Sequence, residues 1–336
     1  MNTNTELYNT VDTLMTEGKG ILAADESDAT AGKRLEIAKL PNTQENRRAF
    51  REMMFSAPTL EESISGVILF DSTIRDTTSL GLPFADVLAA RGIVPGIKVD
   101  KGLVGVEAFE GETVTEGLDG LALRLREYYD LGARFTKWRA VFTVSPEPSD
   151  EVIMLNTTML ARYAALTQVA GMVPIIEPEV LYDGEHSLEA AQEVTEKVLA
   201  WTCDLLERYR VDLKGCILKT SMVLAGKQGE MSSPADVADA TVRTLHIAVP
   251  HTMGGIVCLS GGQEAKQATR NMHAIAKLGK QPWRISTSYS RALEEPMLKA
   301  WAGKEENIED AQNVLVHRAR MNGLAQKGVY DESKDV

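Results

Sequence analysis

The stretch GCILKTSM (residues 215–222) reads as an apolar strand with a polar end, except that a lysine, Lys219, stands well inside it. Lysine is among the side chains least often buried. Seven further short apolar runs recur along the chain: GILAADE (20–26), SGVILF (65–70), VPGIKVDK (94–101), ARFTKWRAV (133–141), MVPIIEPEV (172–180), GGIVCLSGG (254–262) and WRISTSY (283–289). Longer helix-like segments separate them, among them LDGLALRLREYYDLG, SLEAAQEVTEKVLAWTCDLLERYR, SPADVADATVRTLHIAV and GQEAKQATRNMHAIAKLG. Strand alternating with helix gives right-handed βαβ units and a parallel sheet. Eight such repeats suit a closed (β/α)8 barrel, the TIM barrel of the α/β class. A doubly wound sheet is the competing architecture.

The chain has 336 residues, 44% of them hydrophobic, with 26 Gly and 12 Pro, an ordinary globular composition. That length suits two average domains, but α/β barrels of this size fold as one. The expectation is a single barrel domain over residues 1–336. No second domain, repeat or low-complexity segment stands out. The closing stretch QKGVYDESKDV is polar, and a mobile C-terminal tail is expected from about residue 323 onward. With 36 Lys and Arg against 48 Asp and Glu, the formal net charge is −12. Such a surface is poorly suited to nucleic acid or an anionic membrane, so neither is expected as a partner.

Three cysteines, Cys203, Cys216 and Cys258, have no zinc-site spacing, and their odd number argues against a disulfide framework. Cys216 and Cys258 sit in apolar runs and read as buried thiols, which points to a reducing compartment. The opening MNTNTELYNTVD lacks the basic and apolar segments of a signal peptide, and no apolar run approaches membrane-spanning length. A cytoplasmic location is expected.

Charged residues come late in the apolar runs, often two apart. The first run gives Asp25 and Ser27, the third Lys98 and Asp100, the fourth Lys137 and Arg139, the fifth Glu177 and Glu179, and the sixth Lys219. Residues two apart in a strand face the same side. Facing inward, these groups converge on the C-terminal mouth of a barrel, where such folds keep their chemistry. A single late carboxylate is equally well a helix N-cap or a salt-bridge partner. The whole set, stacked inside a narrow barrel, carries a desolvation cost that a purely structural role does not offset.

A partly desolvated lysine among other cations loses its proton more readily, and the neutral amine can attack a carbonyl to form a Schiff base. Lys219 and Lys137 lie on strands separated by one strand, so both reach one cavity, and either is expected to depress the other's hold on its proton. The iminium that forms is an electron sink and allows a nearby carbon–carbon bond to break or form. A general acid must expel water from the carbinolamine, and a base must take a hydroxyl proton. Asp25, Glu177 and Glu179 are the available carboxylates.

Two segments suggest phosphate on the substrate. LSGGQEAKQATR is a strand end, a Gly-Gly turn and a helix start, and STSYSRALEE repeats the geometry and adds Arg291. Free N–H groups at a helix N-terminus bind anions, and the loops after strands seven and eight are the usual phosphate site in these barrels. A structural glycine turn would leave the same trace in LSGGQ. Ser27, Thr30, Arg34 and Lys98 could form a second anion site across the mouth, which would fit a sugar bisphosphate. The five histidines, His186, His246, His251, His273 and His317, read as surface or helix residues; none is late in a strand or in an H-E-x-x-H arrangement. No G-x-G-x-x-G turn follows the first strand. Neither a metal nor a dinucleotide cofactor is expected.

The same residues carry a family resemblance. GKGILAADES, RLEIAKLPNTQENRRAFREM, GVILF, GIKVDKG, GETVTEGLDGL, KWRAVF, VPIIEPEVLYDGEH, TEKVLAW, ILKTSMVLAGK, LSGGQ and SYSRAL, in order from about residue 7 to residue 330, resemble class I fructose-bisphosphate aldolase. The resemblance implies a metal-independent lyase of glycolysis and gluconeogenesis. It would cleave fructose 1,6-bisphosphate reversibly to dihydroxyacetone phosphate and glyceraldehyde 3-phosphate, and it would be a homotetramer. It aligns Lys219 with the Schiff-base lysine and Glu177 with the acid/base of imine formation. Asp25 aligns with the group that handles the C4-hydroxyl proton, Lys137 with a second active-site lysine, and Glu179 with a carboxylate beside it. Arg139 follows in the KWR motif and is expected to order these charges. Ser260, Gly261, Ser290 and Arg291 match the ketose-side phosphate site. Ser27, Arg34 and Lys98 match the other phosphate side, with Thr30 where a serine is usual.

Three departures stand out. Thr220-Ser221 replaces the usual Pro-Asn after the lysine, and Ser290 replaces a glycine. The chain ends in Asp335-Val336, where familiar animal enzymes end in a tyrosine; Tyr330 matches an internal position. The rival readings are another Schiff-base barrel such as transaldolase, and a non-catalytic sugar-phosphate-binding or scaffold protein. Asp25, Lys137, Glu177 and Lys219 standing together speak against the latter.

Overall fold

The computed structural model describes residues 3–335. Its ten strands are β1 (Gly20–Ala24), β2 (Ile64–Leu69), β3 (Val94–Lys98), β4 (Leu103–Val106), β5 (Phe109–Thr115), β6 (Phe135–Phe142), β7 (Val173–Val180), β8 (Ile217–Ser221), β9 (Gly255–Leu259) and β10 (Ile285–Tyr289). Eight of them close into a parallel barrel in the order β1-β2-β3-β6-β7-β8-β9-β10, each built on one of the eight apolar runs. The (β/α)8 expectation holds. The four segments read as helices form Leu121–Asp130, Leu188–Arg208, Pro234–Ala248 and Ala265–Lys277.

The barrel interior follows from the two-residue period of a strand. Ile21, Ala23, Phe135, Val173, Ile175, Ile217 and Val257 form one buried cluster. They pack with Leu7, Val11 and Leu14 of the N-terminal helix Thr3–Leu14, which plugs the floor. Two residues further along the same columns come Asp25, Lys137, Glu177 and Lys219. The intervening Leu22, Ala24, Trp138, Ile176 and Leu218 face outward and join the core between barrel and helices. Each functional strand is thus apolar low and charged high on its inner face. Gly96 of β3 belongs to the same packing: a Cβ there would lie 2.3 Å from the Phe135 ring, so only glycine admits that ring.

β4 and β5 form an antiparallel hairpin between β3 and β6 that the sequence reading passed over. Its two-residue connection, Glu107-Ala108, has no residue suited to positive φ, and Leu103 and Val104 are exposed. The segment expected as a tail starts inside the helix Ile308–Gln326. Near its end the Asp335 carboxylate accepts from Arg318 Nη1 at 2.5 Å and from the Tyr330 hydroxyl at 2.7 Å. All three cysteines are free and buried. No helix among the described residues is long and apolar enough to cross a membrane.

Candidate active site

Strand order places Glu177 between the two lysines, because β7 separates β6 from β8. Glu177 Oε1 lies 3.0 Å from Lys219 Nζ, and its Oε2 lies 3.1 Å from Lys137 Nζ. The Oε2 contact lacks hydrogen-bond alignment, which leaves that oxygen open to a proton. From across the mouth, Asp25 Oδ2 approaches Lys137 Nζ to 2.5 Å. Lys137 and Lys219 are each 4% exposed and Glu177 3%, so the cluster works largely without water.

These charges are paired, and for Lys137 the expected depression of its pKa is overturned. Burial opposes its charge, but Asp25, Glu177 and Asp100 outweigh burial and hold the ammonium well above the usual lysine range. Burial likewise works against ionised Glu177, yet Lys137, Lys219 and Arg139 keep the carboxyl well below the usual carboxylate range. Arg139 pairs with Glu179 and donates its backbone N–H to Asp100 Oδ2 at 3.3 Å. Lys98 Nζ lies 2.5 Å from Asp100 Oδ1. Lys98, Lys137, Arg139 and Lys219 therefore each have a carboxylate partner, which is how buried charges are tolerated.

A cavity of about 960 Å³ opens above the cluster, lined in part by Asp25, Ser27, Thr30, Arg34, Lys98, Lys137, Arg139 and Ser290. Lys219, Glu177 and Glu179 are buried residues outside that lining. Ser27 is also the N-cap of the helix Asp28–Ile37, its Oγ accepting from Thr30 N–H at 3.3 Å. Ser290 has φ −111°, outside the left-handed region that favours glycine.

The candidate ketose-side phosphate residues do not all face that cavity. Gly261 and Gly262 have φ of 57° and 94°, the left-handed turn only glycine takes readily, and Gly261 borders a crevice beside Ser221 and Met222. Ser260 is buried. Arg291 opens with Gly262 onto a separate cleft of about 720 Å³. After Lys219, β8 continues through Thr220 to Ser221, whose hydroxyl donates to the Val180 carbonyl at 2.6 Å.

Glu26 and Glu294 are absent from the sequence-based assignment, and Asp100 was read there only as a charge of the third run with no role of its own. Asp100 lies two residues after Lys98 and anchors both Lys98 and Arg139. Glu26, next to Asp25, is paired with Arg51 at 2.7 Å, and Glu294 lies one helical turn after Ser290. Adjacency to a candidate residue was the available signal for Asp100 and Glu26. His186, read as a surface or helix residue, is buried in the loop after β7, where burial pushes its pKa down. Among the described residues no three His, Cys, Asp or Glu side chains are grouped to hold a metal ion.

Residues 6–336 match the family model described as fructose-bisphosphate aldolase class-I. The chain is 48% identical over 318 residues to a fructose-bisphosphate aldolase, cytoplasmic isozyme, of Cicer arietinum, covering 94% of this chain and 89% of the relative. It is 48% identical over 328 residues to a probable fructose-bisphosphate aldolase class 1 of Xanthomonas axonopodis pv. citri, covering 97% of this chain and 98% of the relative. The solved fructose-bisphosphate aldolase of Plasmodium falciparum, in complex with TRAP and a small-molecule inhibitor, superposes with a TM-score of 0.97 at 44% identity, over 98% of this chain and 96% of that one.

Proposed function

The chain belongs to the class-I fructose-bisphosphate aldolase family, and on that premise we propose that Lys219 is the amine that forms a Schiff base with the C2 carbonyl of fructose 1,6-bisphosphate. Glu177 takes the proton that Lys219 must lose before attack and returns one to the carbinolamine hydroxyl, which leaves as water. Asp25 accepts the C4-hydroxyl proton as the C3–C4 bond breaks. Glyceraldehyde 3-phosphate departs, and the bonding pair remains in the enamine. Protonation and hydrolysis of the imine then release dihydroxyacetone phosphate and free Lys219. Lys137 holds Asp25 and Glu177 in place, and Arg139 does the same for Glu179. Ser27, Thr30, Arg34 and Lys98 receive one phosphate; Ser260, Gly261, Ser290 and Arg291 receive the other.

The observation that carries this reading is Glu177, within 3.0 Å of Lys219 and 3.1 Å of Lys137. Proton transfer between groups at about 2.6–3.2 Å needs no intervening water. The cytoplasmic-isozyme names of relatives support a cytoplasmic location, and the family resemblance supports a homotetramer built from one barrel domain per chain.

Borohydride reduction in the presence of dihydroxyacetone phosphate tests the assignment. The expected result is a covalent adduct on the peptide that contains Lys219, lost in Lys219→Met, with turnover unaffected by a chelator. Folded protein that traps no adduct on any lysine would leave sugar-phosphate binding without catalysis as the better account.

A further inference from the structure

Glu26, Arg34, Arg51 and Glu294 meet behind Ser290, and the reaction above uses only Arg34 among them. Glu294 is fully buried, on the first turn of the helix Arg291–Trp301. Arg51 Nη2 lies 2.7 Å from Glu26 Oε2 and its Nη1 3.5 Å from Glu294 Oε1. Arg34 Nε lies 3.7 Å from Glu26 Oε1 and 3.6 Å from Glu294 Oε2. Ser290 Oγ lies 2.7 Å from Glu26 Oε1 and 3.2 Å from Glu294 Oε2. A hydroxyl has one proton to give. Given to Glu26 at the shorter distance, it leaves Glu294 Oε2 against an oxygen lone pair. A carboxylate there is repelled, whereas a carboxylic acid donates its own proton to Ser290. Glu294 Oε1 has no hydrogen-bond partner, which a fully buried carboxylate tolerates poorly.

We propose that Glu294 is kept as the neutral acid and is the positioning residue that leaves Arg34 free to receive one of the substrate's phosphates. With Glu294 neutral, the two guanidiniums share one buried carboxylate, Glu26, and, with Glu295 partly exposed to water, an excess positive charge within the buried cluster points at the cavity. With Glu294 ionised, that excess vanishes and Arg34 is held by its own protein. The proposal rests on the reading of Arg34 as a phosphate ligand. Burial and the adjacent Glu26 carboxylate push Glu294 well above the usual carboxylate range. Burial opposes Glu26 too, but Arg51 and the hydrogen bond from Ser290 hold it below that range. The charged groups that face Glu294 are Glu26, Arg51 and Arg34, with Glu295 beyond, 3.7 Å from Arg34 Nη1 and 38% exposed.

The sign follows from linkage. An anion binds the protonated form better, so binding raises the folded-state pKa of Glu294 and draws in a proton above its free-state value. Affinity is full below that value and falls up to tenfold per pH unit above it. Sulfate is the probe, because it stays a dianion throughout. The measurements are its inhibition constant against fructose 1,6-bisphosphate cleavage from pH 5 to 9, and proton uptake on sulfate binding by calorimetry in two buffers of different ionisation enthalpy. The wild type is expected to weaken with rising pH and to take up as much as one proton. Glu294→Gln, neutral at every pH, is expected to bind with a flat profile and no uptake. Superimposable profiles for the two proteins, or a wild type that binds sulfate without proton uptake, would overturn the role of Glu294 and leave the anion site standing. Sulfate that competes with neither protein would remove the anion site and the proposal together, while adduct formation at Lys219 reports separately on the aldolase reading. Wild-type calorimetry decides even when the variant does not fold.

Discussion

Glu177→Gln preserves the side chain's shape and removes its basicity, so it separates position from proton transfer. Oε1 is 3.0 Å from Lys219 Nζ, close enough to exchange a proton directly. General acid–base catalysis of this kind is worth roughly 10²–10⁴-fold, or about 2.7–5.4 kcal/mol of barrier. The variant should lose that factor twice over: in cleavage of fructose 1,6-bisphosphate, and in the rate of borohydride trapping with dihydroxyacetone phosphate, because imine formation underlies both. Asp25→Asn is the control. Dihydroxyacetone phosphate has no C4 hydroxyl, so this variant should cleave slowly yet trap at close to the wild-type rate. Parallel loss of trapping in both variants would refute the division of labour, and so would cleavage by Glu177→Gln near the wild-type rate. Stability gives a second reading. Without the Glu177 carboxylate, Lys219 has no ion-pair partner at 4% exposure, and an uncompensated buried charge costs about 3–5 kcal/mol. Because Glu177 is held below the usual carboxylate range, its stabilisation is present above its unfolded pKa of about 4.3 and disappears as pH falls through its folded value. The gap in melting temperature between wild type and Glu177→Gln should therefore be widest near neutrality and narrow in acid.

Gly96→Ala would put a Cβ 2.3 Å from the Phe135 ring, an overpacking expected to cost about 1–3 kcal/mol or more, and the double change with Phe135→Leu should recover part of it in urea unfolding. Burial pushes the Cys203 and Cys258 thiols up to about 12 and raises Cys216 well above its ordinary value. A disulfide reagent at pH 8 should leave the folded protein unmodified and titrate all three thiols once it is unfolded; fast reaction of the folded chain would refute the burial of Cys203, Cys216 and Cys258.

The barrel was legible because a parallel strand buried on both faces reads as a short apolar run, and such a run tolerates charge only where function needs it. The i, i+2 spacing of Lys137 with Arg139, and of Glu177 with Glu179, therefore predicted an inward-facing cluster. What the lysines meet was harder to read. Proximity of Lys137 to Lys219 suggested mutual depression, but Glu177 projects from the strand between them and Asp25 arrives from the far side, so Lys137 moves the opposite way. The hairpin β4–β5 escaped because its turn lacks glycine or asparagine and its first strand, LVGV, is short and largely exposed. Glu294 escaped for another reason. An acid on the first turn of a helix is the ordinary complement to the helix dipole, and nothing in SRALEE distinguishes it from one. Only its complete burial and the approach of Glu26, Arg34 and Arg51 from three separate segments turn a routine acid into half of a carboxyl pair. Strand chemistry is written in local period, whereas pairing between a helix turn and distant segments is written in none; a serine in place of glycine at 290, whose hydroxyl lies between the two carboxyls, was the one mark it left in the sequence.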